Sequence, residues 1–342
     1  MSEEPAKPGL PATPLKIGKV TLRNHVLLAP MSGVTDLPFR RIAQEHGAGM
    51  AITEMVASRE LVRERPDATL RAQGEGCTPF VVQLAGRETR WMAEGARIAE
   101  GLGADVIDIN MGCPAKHVMK GLAGSGLMRD ADNALRIVEA VTGSVSVPVT
   151  LKMRMGWDHN SLNAPELAAR AESAGVRMIT VHGRTRCQFF KGRADWPFIA
   201  SVKARLGIPV IANGDADSPE AALSMQRQAN ADGVMIGRGA YGRPWLPGRI
   251  ARLMETGRDP GDPTLAEQKT IALRHYEEML VHYGTELGMR NARKHLGWYV
   301  EHNASDPAEM KAWRRRLCSE DDPRKTAAAL AEFYDNCLEQ AA

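Results

Sequence analysis

The stretch Asp108-Ile-Asn-Met-Gly-Cys-Pro114, with Lys116 and His117 directly behind it, brings a thiol, an amide and two further polar groups into one short loop. The apolar run from Val106 to Ile109 predicts a short buried strand, and Asn110–Pro114 the loop that leaves its C-terminal end. A thiol with its ordinary pKa of about 8.5 is mostly protonated near neutrality and can give a proton to carbon. Cys113 could equally be a nucleophile, or a small apolar residue filling space. No Cys–His–Asn arrangement is evident, which makes the acid the simpler chemical role. Gly121, Gly124 and Gly126 allow a flexible segment close to whatever binds there.

A loop of this kind needs a scaffold. β-rich runs recur at 26–30, 49–54, 80–85, 106–110, 147–154, 178–182, 210–214 and 234–237, each separated by room for an amphipathic helix. Phrases such as His46-Gly-Ala-Gly and Ala174-Gly-Val mark helix ends closed by glycine before a buried strand. Eight such units in about 230 residues fit a TIM barrel, whose chemistry sits at the C-terminal strand ends. An open doubly wound sheet is the competitor, but no Gly-x-Gly-x-x-Gly follows the first strand, and polar residues close nearly every strand.

The expected architecture is therefore α/β: a TIM (β/α)8 barrel followed by a small all-helical C-terminal domain. Residues 1–14, with four prolines, read as a flexible arm, 15–255 as the barrel, 256–263 as a Pro/Gly-rich linker and 264–342 as the helical domain. No apolar run approaches the roughly 20 residues of a membrane span, and no signal-peptide core opens the chain, so a cytoplasmic protein is expected. The five cysteines are widely spaced without a C-x-x-C pair, which argues against disulfides and a local zinc site; no metal is expected. The net charge of +3 is unevenly spread, with twelve Lys/Arg against fifteen Asp/Glu from Thr256 onward, leaving +6 for residues 1–255. A basic barrel suits a polyanionic ligand, either a phosphate-bearing cofactor or RNA.

The strand ends supply the candidate site. Gln83 and the Asn110 amide can address an imide or pyrimidine edge. Lys152 can form a Schiff base, or be a cation facing an anionic ring locus or carbonyl, with Arg154 on the same side of the strand. His182 can be a base, a hydrogen-bond donor or a satisfied core histidine, and Arg184 follows it. Asn213-Gly214-Asp215 and Gly237-Arg238 end the seventh and eighth strands, where barrels commonly bind phosphate.

The chain resembles the tRNA-dihydrouridine synthase family, most closely its bacterial B branch. The resemblance runs through Leu28-Ala-Pro-Met-Ser-Gly-Val-Thr-Asp-Leu-Pro-Phe-Arg40, Thr53-Glu-Met55, Val82-Gln-Leu-Ala-Gly86, Asp108 to Pro114, Leu151-Lys-Met-Arg-Met-Gly156, Thr180-Val-His-Gly-Arg-Thr-Arg186, Asn213-Gly-Asp215, Met235-Ile-Gly-Arg-Gly239 and Arg293-Lys-His295. It implies an FMN-dependent reductase that uses NADPH to reduce the C5–C6 bond of D-loop uridines in tRNA, position 17 being suggested by the branch alone. By motif, Pro30, Met31, Ser32, Gln83, Lys152, His182, Asn213, Gly214, Asp215, Gly237 and Arg238 would hold FMN. Hydride would pass from flavin N5 to C6 of a flipped-out uracil, while Cys113 protonates C5 from the other face. Asn110, Arg154 and Arg184 would contact the uracil or its phosphate. Arg290, Arg293 and Lys294 would grip a phosphate ridge in a tRNA-binding tail, and no protein partner is implied. Another FMN barrel acting on a small substrate, a lysine aldolase and an RNA-binding module that has lost catalysis are the rival readings. The intact Cys113, Lys152 and His182 speak against the last.

Overall fold

The computed structural model describes residues 14–115 and 123–341; Lys116, His117 and Gly121 lie outside them. Eight parallel strands form the barrel: β1 (Val26–Leu28), β2 (Met50–Ile52), β3 (Phe80–Ala85), β4 (Val106–Met111), β5 (Val149–Arg154), β6 (Met178–His182), β7 (Val210–Asn213) and β8 (Gly233–Ile236). They pair in chain order, β8 returns to β1, and Ala51 of β2 lies opposite Phe80 of β3, so the sheet closes without an edge. The layer outside holds α1 (Leu37–Glu45), α2 (Thr89–Gly101), α3 (Ala131–Thr142), α4 (Ala164–Ser173), α5 (Trp196–Lys203), α6 (Pro219–Ala229) and α7 (Leu246–Thr256). After β2 a short strand, Val56–Ala57, and two short helices, Ser58–Val62 and Pro66–Arg71, take the place of one long helix; Pro66 opens the second of these.

Alternation along the strands decides what faces inward. Leu27, Met50, Ile52, Val81, Val106, Met178, Ile211 and Met235 form one apolar cluster with Leu15, Ile17 and Leu22, from the antiparallel hairpin Lys16–Ile17/Val20–Thr21 and its flanks. The intervening residues, among them Val26, Leu28, Val82, Ile107 and Leu151, pack against the surrounding helices. Side chains two positions apart share a direction. Gln83, Asp108, Asn110, Lys152, Arg154, His182, Asn213 and Gly237 therefore have the same inward parity as the apolar floor.

The glycines that close helices before strands do so by entering the left-handed region: Gly47 has φ +110°, Gly103 +92° and Gly175 +99°. Before β8 that position falls to Asn230, with φ 47°.

Beyond α7 the chain turns at Gly257 and builds four helices, α8 (Leu265–Tyr283), α9 (Thr285–Asn303), α10 (Pro307–Ser319) and α11 (Pro323–Ala341). Thr264 and Glu267 form a capping box at the first, and the Asp306 carboxylate caps α10. Tyr276, Leu296, Tyr299, Leu330 and Phe333 make a second core, which also takes in Ile42 and Trp245 from the barrel. The segment between α7 and α8 is tied down, because Asp262 accepts from Trp245 Nε1 at 2.8 Å and pairs with Arg249 at 2.8 Å and His302 at 3.3 Å. No helix among the described residues is long and apolar enough to cross a membrane.

The helical tail also closes over α1. Asp36 accepts from its own helix at Phe39 N and from the Tyr283 hydroxyl of α8 at 3.1 Å. Burial pushes its carboxyl up to about 7, with Glu54 adding to the rise and Lys294 opposing it. A carboxyl that is harder to ionise folded than unfolded contributes stability at low pH, and this is lost as pH climbs from the unfolded value near 4 to about 7. Asp36→Asn keeps the amide oxygen for Phe39 and cannot ionise. Thermal unfolding should show the melting temperature of the variant gaining on the native chain between pH 5 and 7 and holding a constant difference above about 7; parallel curves throughout would remove this role for Asp36.

Candidate functional site

A cavity of about 850 Å³ opens at the C-terminal ends of the strands, within the roughly 300–1,000 Å³ typical of cofactor and ligand pockets. It is lined by Pro30, Met31, Ser32, Gln83, Asn110, Cys113, Lys152, Arg154, His182, Asn213, Gly214, Asp215, Gly237 and Arg238, which the closed barrel brings to one mouth. A slightly larger hollow, between the α1–β2 turn and the start of α8, shares none of these residues.

The wall on the β3–β5 side is built on one buried carboxylate. Asp108 accepts from Thr150 Oγ1 at 2.6 Å and from Gln83 Nε2 at 2.6 Å. Gln83 in turn accepts from Asn110 Nδ2 at 2.7 Å, and Asn110 Oδ1 accepts from the backbone N–H groups of Gly112 at 3.2 Å and Cys113 at 3.0 Å. From the far side, Ser125 donates from its backbone N–H and its hydroxyl to the Cys113 carbonyl, at 3.0 and 2.8 Å. The half-buried thiol thus stands on a loop held at both ends of its peptide unit. Burial raises the Asp108 pKa, while the two hydrogen bonds and Lys152 favour the charged form.

From β5 round to β8 the site is cationic. Lys152 Nζ donates to Asn213 Oδ1 at 3.1 Å, and Asn213 Nδ2 donates to the Met235 carbonyl at 2.8 Å. Burial, then the neighbouring Arg154, brings the ammonium pKa down to about 8. The Arg184 guanidinium lies 3.3 Å from His182 Nε2 and can only donate, so the ring proton sits on Nδ1. Burial, followed by Arg154, Lys152, Arg184 and Arg238, holds His182 well below its ordinary value, and the ring is neutral. Gly214, with φ +124°, must lack a side chain: a Cβ there would lie 2.8 Å from the His182 ring. At Gly237 a Cβ would meet nothing nearer than 3.8 Å, so that space is open to a ligand.

Several predicted contact residues have their polar groups engaged within the protein. Arg154 donates to the carbonyls of Gly112, Thr185 and Phe189 at 2.8–2.9 Å, clamping the loops after β4 and β6. Arg184 donates to Lys191 O, Gly192 O and the Asp215 carboxylate. Asp215 also accepts from Ala194 N at 2.8 Å and lies 3.4 Å from Arg238, so it organises neighbours more than it faces the cavity. Nor do the three tail cations form a common ridge. Arg290 is exposed, Arg293 is paired with Asp321 at 2.7 Å, and Lys294 Nζ faces the loop after β1, 3.1 Å from where a Gly33 side chain would start. The sequence reading also missed Phe189, Phe190, Tyr241 and Arg243, which line the same cavity. Tyr241 is stacked at 3.9 Å on Trp298 of α9.

Similarity to known proteins agrees with this arrangement. The family model described as dihydrouridine synthase matches residues 27–340. A probable tRNA-dihydrouridine synthase from Rhizobium leguminosarum bv. phaseoli is 51% identical over 92% of this chain and 97% of its own length. The tRNA-dihydrouridine synthase B of Xanthomonas campestris pv. campestris is 44% identical over 94% of this chain and 96% of its own, in keeping with the B branch. Among solved structures, histamine dehydrogenase from Rhizobium sp. 4-9 superposes with a TM-score of 0.56 at 13% identity, covering 98% of this chain and 65% of its own, a likeness of fold alone. With a single family model running from the first barrel strand to the last tail helix, the chain belongs to the dihydrouridine synthase family and is a flavin-dependent oxidoreductase.

Proposed function

We propose that the protein reduces the C5–C6 bond of specific D-loop uridines in cytoplasmic tRNA, with FMN as its flavin and NADPH as the electron donor. The observation that carries this reading is the placing of Cys113 on a pinned loop after β4, while the glycines and cations of β7 and β8 line the other side of one cavity. Strands β4 and β8 stand four positions apart in the closed sheet of eight, on opposite sides of the mouth.

The residues present suit FMN. The open space at Gly237 and the half-exposed Arg238 fit a phosphate group. Lys152 has one hydrogen-bonded acceptor, Asn213, and a pKa that an anionic ring locus would draw back up. Pro30, Met31, Ser32, Gln83, His182 through Nδ1–H, Asn213 and Gly214 complete the walls. When bound, FMN supplies hydride-transfer chemistry. The remaining demands fall on side chains: Cys113 carries the proton for C5, and Asn110, which already orients the Cys113 backbone, retains a second amide N–H for the base. Arg154 and Arg184 act on the substrate through the loops they hold. The uridine must leave its stack to enter the cavity, and the helical tail, through exposed Arg290 among others, helps seat the tRNA.

Incubation of the purified holoenzyme with unmodified tRNA and NADPH should add two mass units at individual uridines, read by mass spectrometry; no gain would sink this function. Cys113→Ala should keep its flavin yet lose turnover by about 10²–10⁴-fold; undiminished turnover would remove the thiol from the acid role. Because the Lys152 ammonium loses its proton near pH 8, FMN binding to the apoprotein should weaken as pH rises through about 8. Lys152→Met should bind FMN less tightly and show no such inflection, and an inflection retained in the variant would assign it to another group.

A further inference from the structure

The loops that close the barrel mouth carry a run of cations and rings in alternation. Arg129, at the end of the 3-10 turn Gly124–Arg129, lies with Cζ 4.8 Å from the Trp157 ring centroid. Arg186 lies 4.7 Å from the same ring and 4.7 Å from Phe189. The next residue, Phe190, is 54% exposed and is approached by Arg154 at 5.5 Å and Arg238 at 5.2 Å. Two backbone hydrogen bonds, Arg186 N to Gly156 O and Cys187 N to Trp157 O, both at 2.9 Å, join the loops after β5 and β6 beneath this run. Phe189 and Phe190 line the cavity that holds Cys113, so the run leads into the site.

Among the described residues Arg129 and Arg186 make no ion pair, and Arg186 Nε is buried without an acceptor. Asp130 and Asp158, next in sequence to Arg129 and Trp157, accept from the backbone N–H groups of Asn133 and Asn160 and pair with neither arginine. In the tail, Arg293, Arg314 and Arg316 are paired with Asp321, Glu301 and Glu332, while Arg290 and Arg315 make no ion pair among the described residues. Unneutralised guanidiniums held against rings, beside a half-exposed phenyl, match a single-stranded polyanion with exposed bases.

We propose that the strip Arg129–Trp157–Arg186–Phe189–Phe190 is the docking track for the unstacked RNA segment that carries the target uridine, with phosphates on Arg129 and Arg186 and a flanking base against Phe190. This rests on the reading of the enzyme as a tRNA reductase. The rings fix the guanidinium planes, so the cations are preorganised for phosphate and lose little freedom on binding.

The test is tRNA binding by the flavin-loaded Arg129→Gln, Arg186→Gln and double variants across a salt series, with flavin absorbance recorded for each. Each single-stranded phosphate contact contributes about 0.7 to the slope of log Kd against log salt. The single variants should lower that slope by about 0.7 and raise Kd about 5-fold at 0.1 M salt; the double variant should give about 1.4 and 25-fold, with flavin content unchanged. Arg129 is exposed, so its variant folds even if the partly buried Arg186 does not tolerate change. Native Kd and slope in the Arg129 and Arg186 variants, with the native enzyme still binding and reducing tRNA, would overturn the track. A native enzyme that neither binds nor reduces tRNA would instead overturn the function on which it rests.

Discussion

The site depends on the buried carboxylate of Asp108. A carboxyl group inside a barrel is costly unless its oxygens are hydrogen-bonded, and here Thr150 and Gln83 each donate to one of them from the strands on either side. The donation has a direction. Gln83 can serve Asp108 only through its amide N–H, which leaves its oxygen for Asn110. Asn110 must then turn its own oxygen to the backbone N–H groups that set the Cys113 loop. A polar requirement deep among the strands is thereby transmitted, one amide at a time, to the orientation of the thiol at the mouth. Removing any member leaves a buried donor or acceptor without a partner, which costs about 1–3 kcal/mol and frees the loop.

Electrostatics complement this rigidity from β5 round to β8. Lys152, Arg154, Arg184 and Arg238 crowd a neutral His182, and Asp215 offsets part of that charge through Arg184 and Arg238. The remaining positive field favours an anionic ligand, and burial keeps it from being screened. The tail contributes from behind: Tyr283 meets Asp36, Lys294 faces Gly33, and Glu54 accepts from Gly33 N, so the loop that follows β1 is set by both parts of the molecule.

The barrel was legible in the sequence because eight buried strands at regular spacing, each closed by polar residues, leave few alternatives. The cavity residues were legible for a related reason: strand ends converge once the barrel closes, and the family resemblance picked out the same positions. What one sequence could not convey is how charges are spent. Arg154 and Arg184 look like ligand cations, yet their partners are carbonyls of loops brought close only by the fold. Arg290, Arg293 and Lys294 lie three and four residues apart on one side of α9, yet Arg293 is spent on Asp321 and Lys294 reaches the loop after β1, which leaves Arg290 exposed. Phe189 and Phe190 carried a signal, adjacent rings among Arg186, Lys191 and Arg193, that the strand-end argument passed over.

Installation of dihydrouridine in tRNA through Cys113 is open to a direct test in cells. The most direct measurement is a map of dihydrouridine across the RNAs of a strain lacking the gene, complemented with the native chain or with Cys113→Ala. Loss of the modification at particular D-loop positions, restored by the native chain and not by the variant, is the predicted result. An unchanged map in the deletion strain, or full restoration by Cys113→Ala, would contradict it.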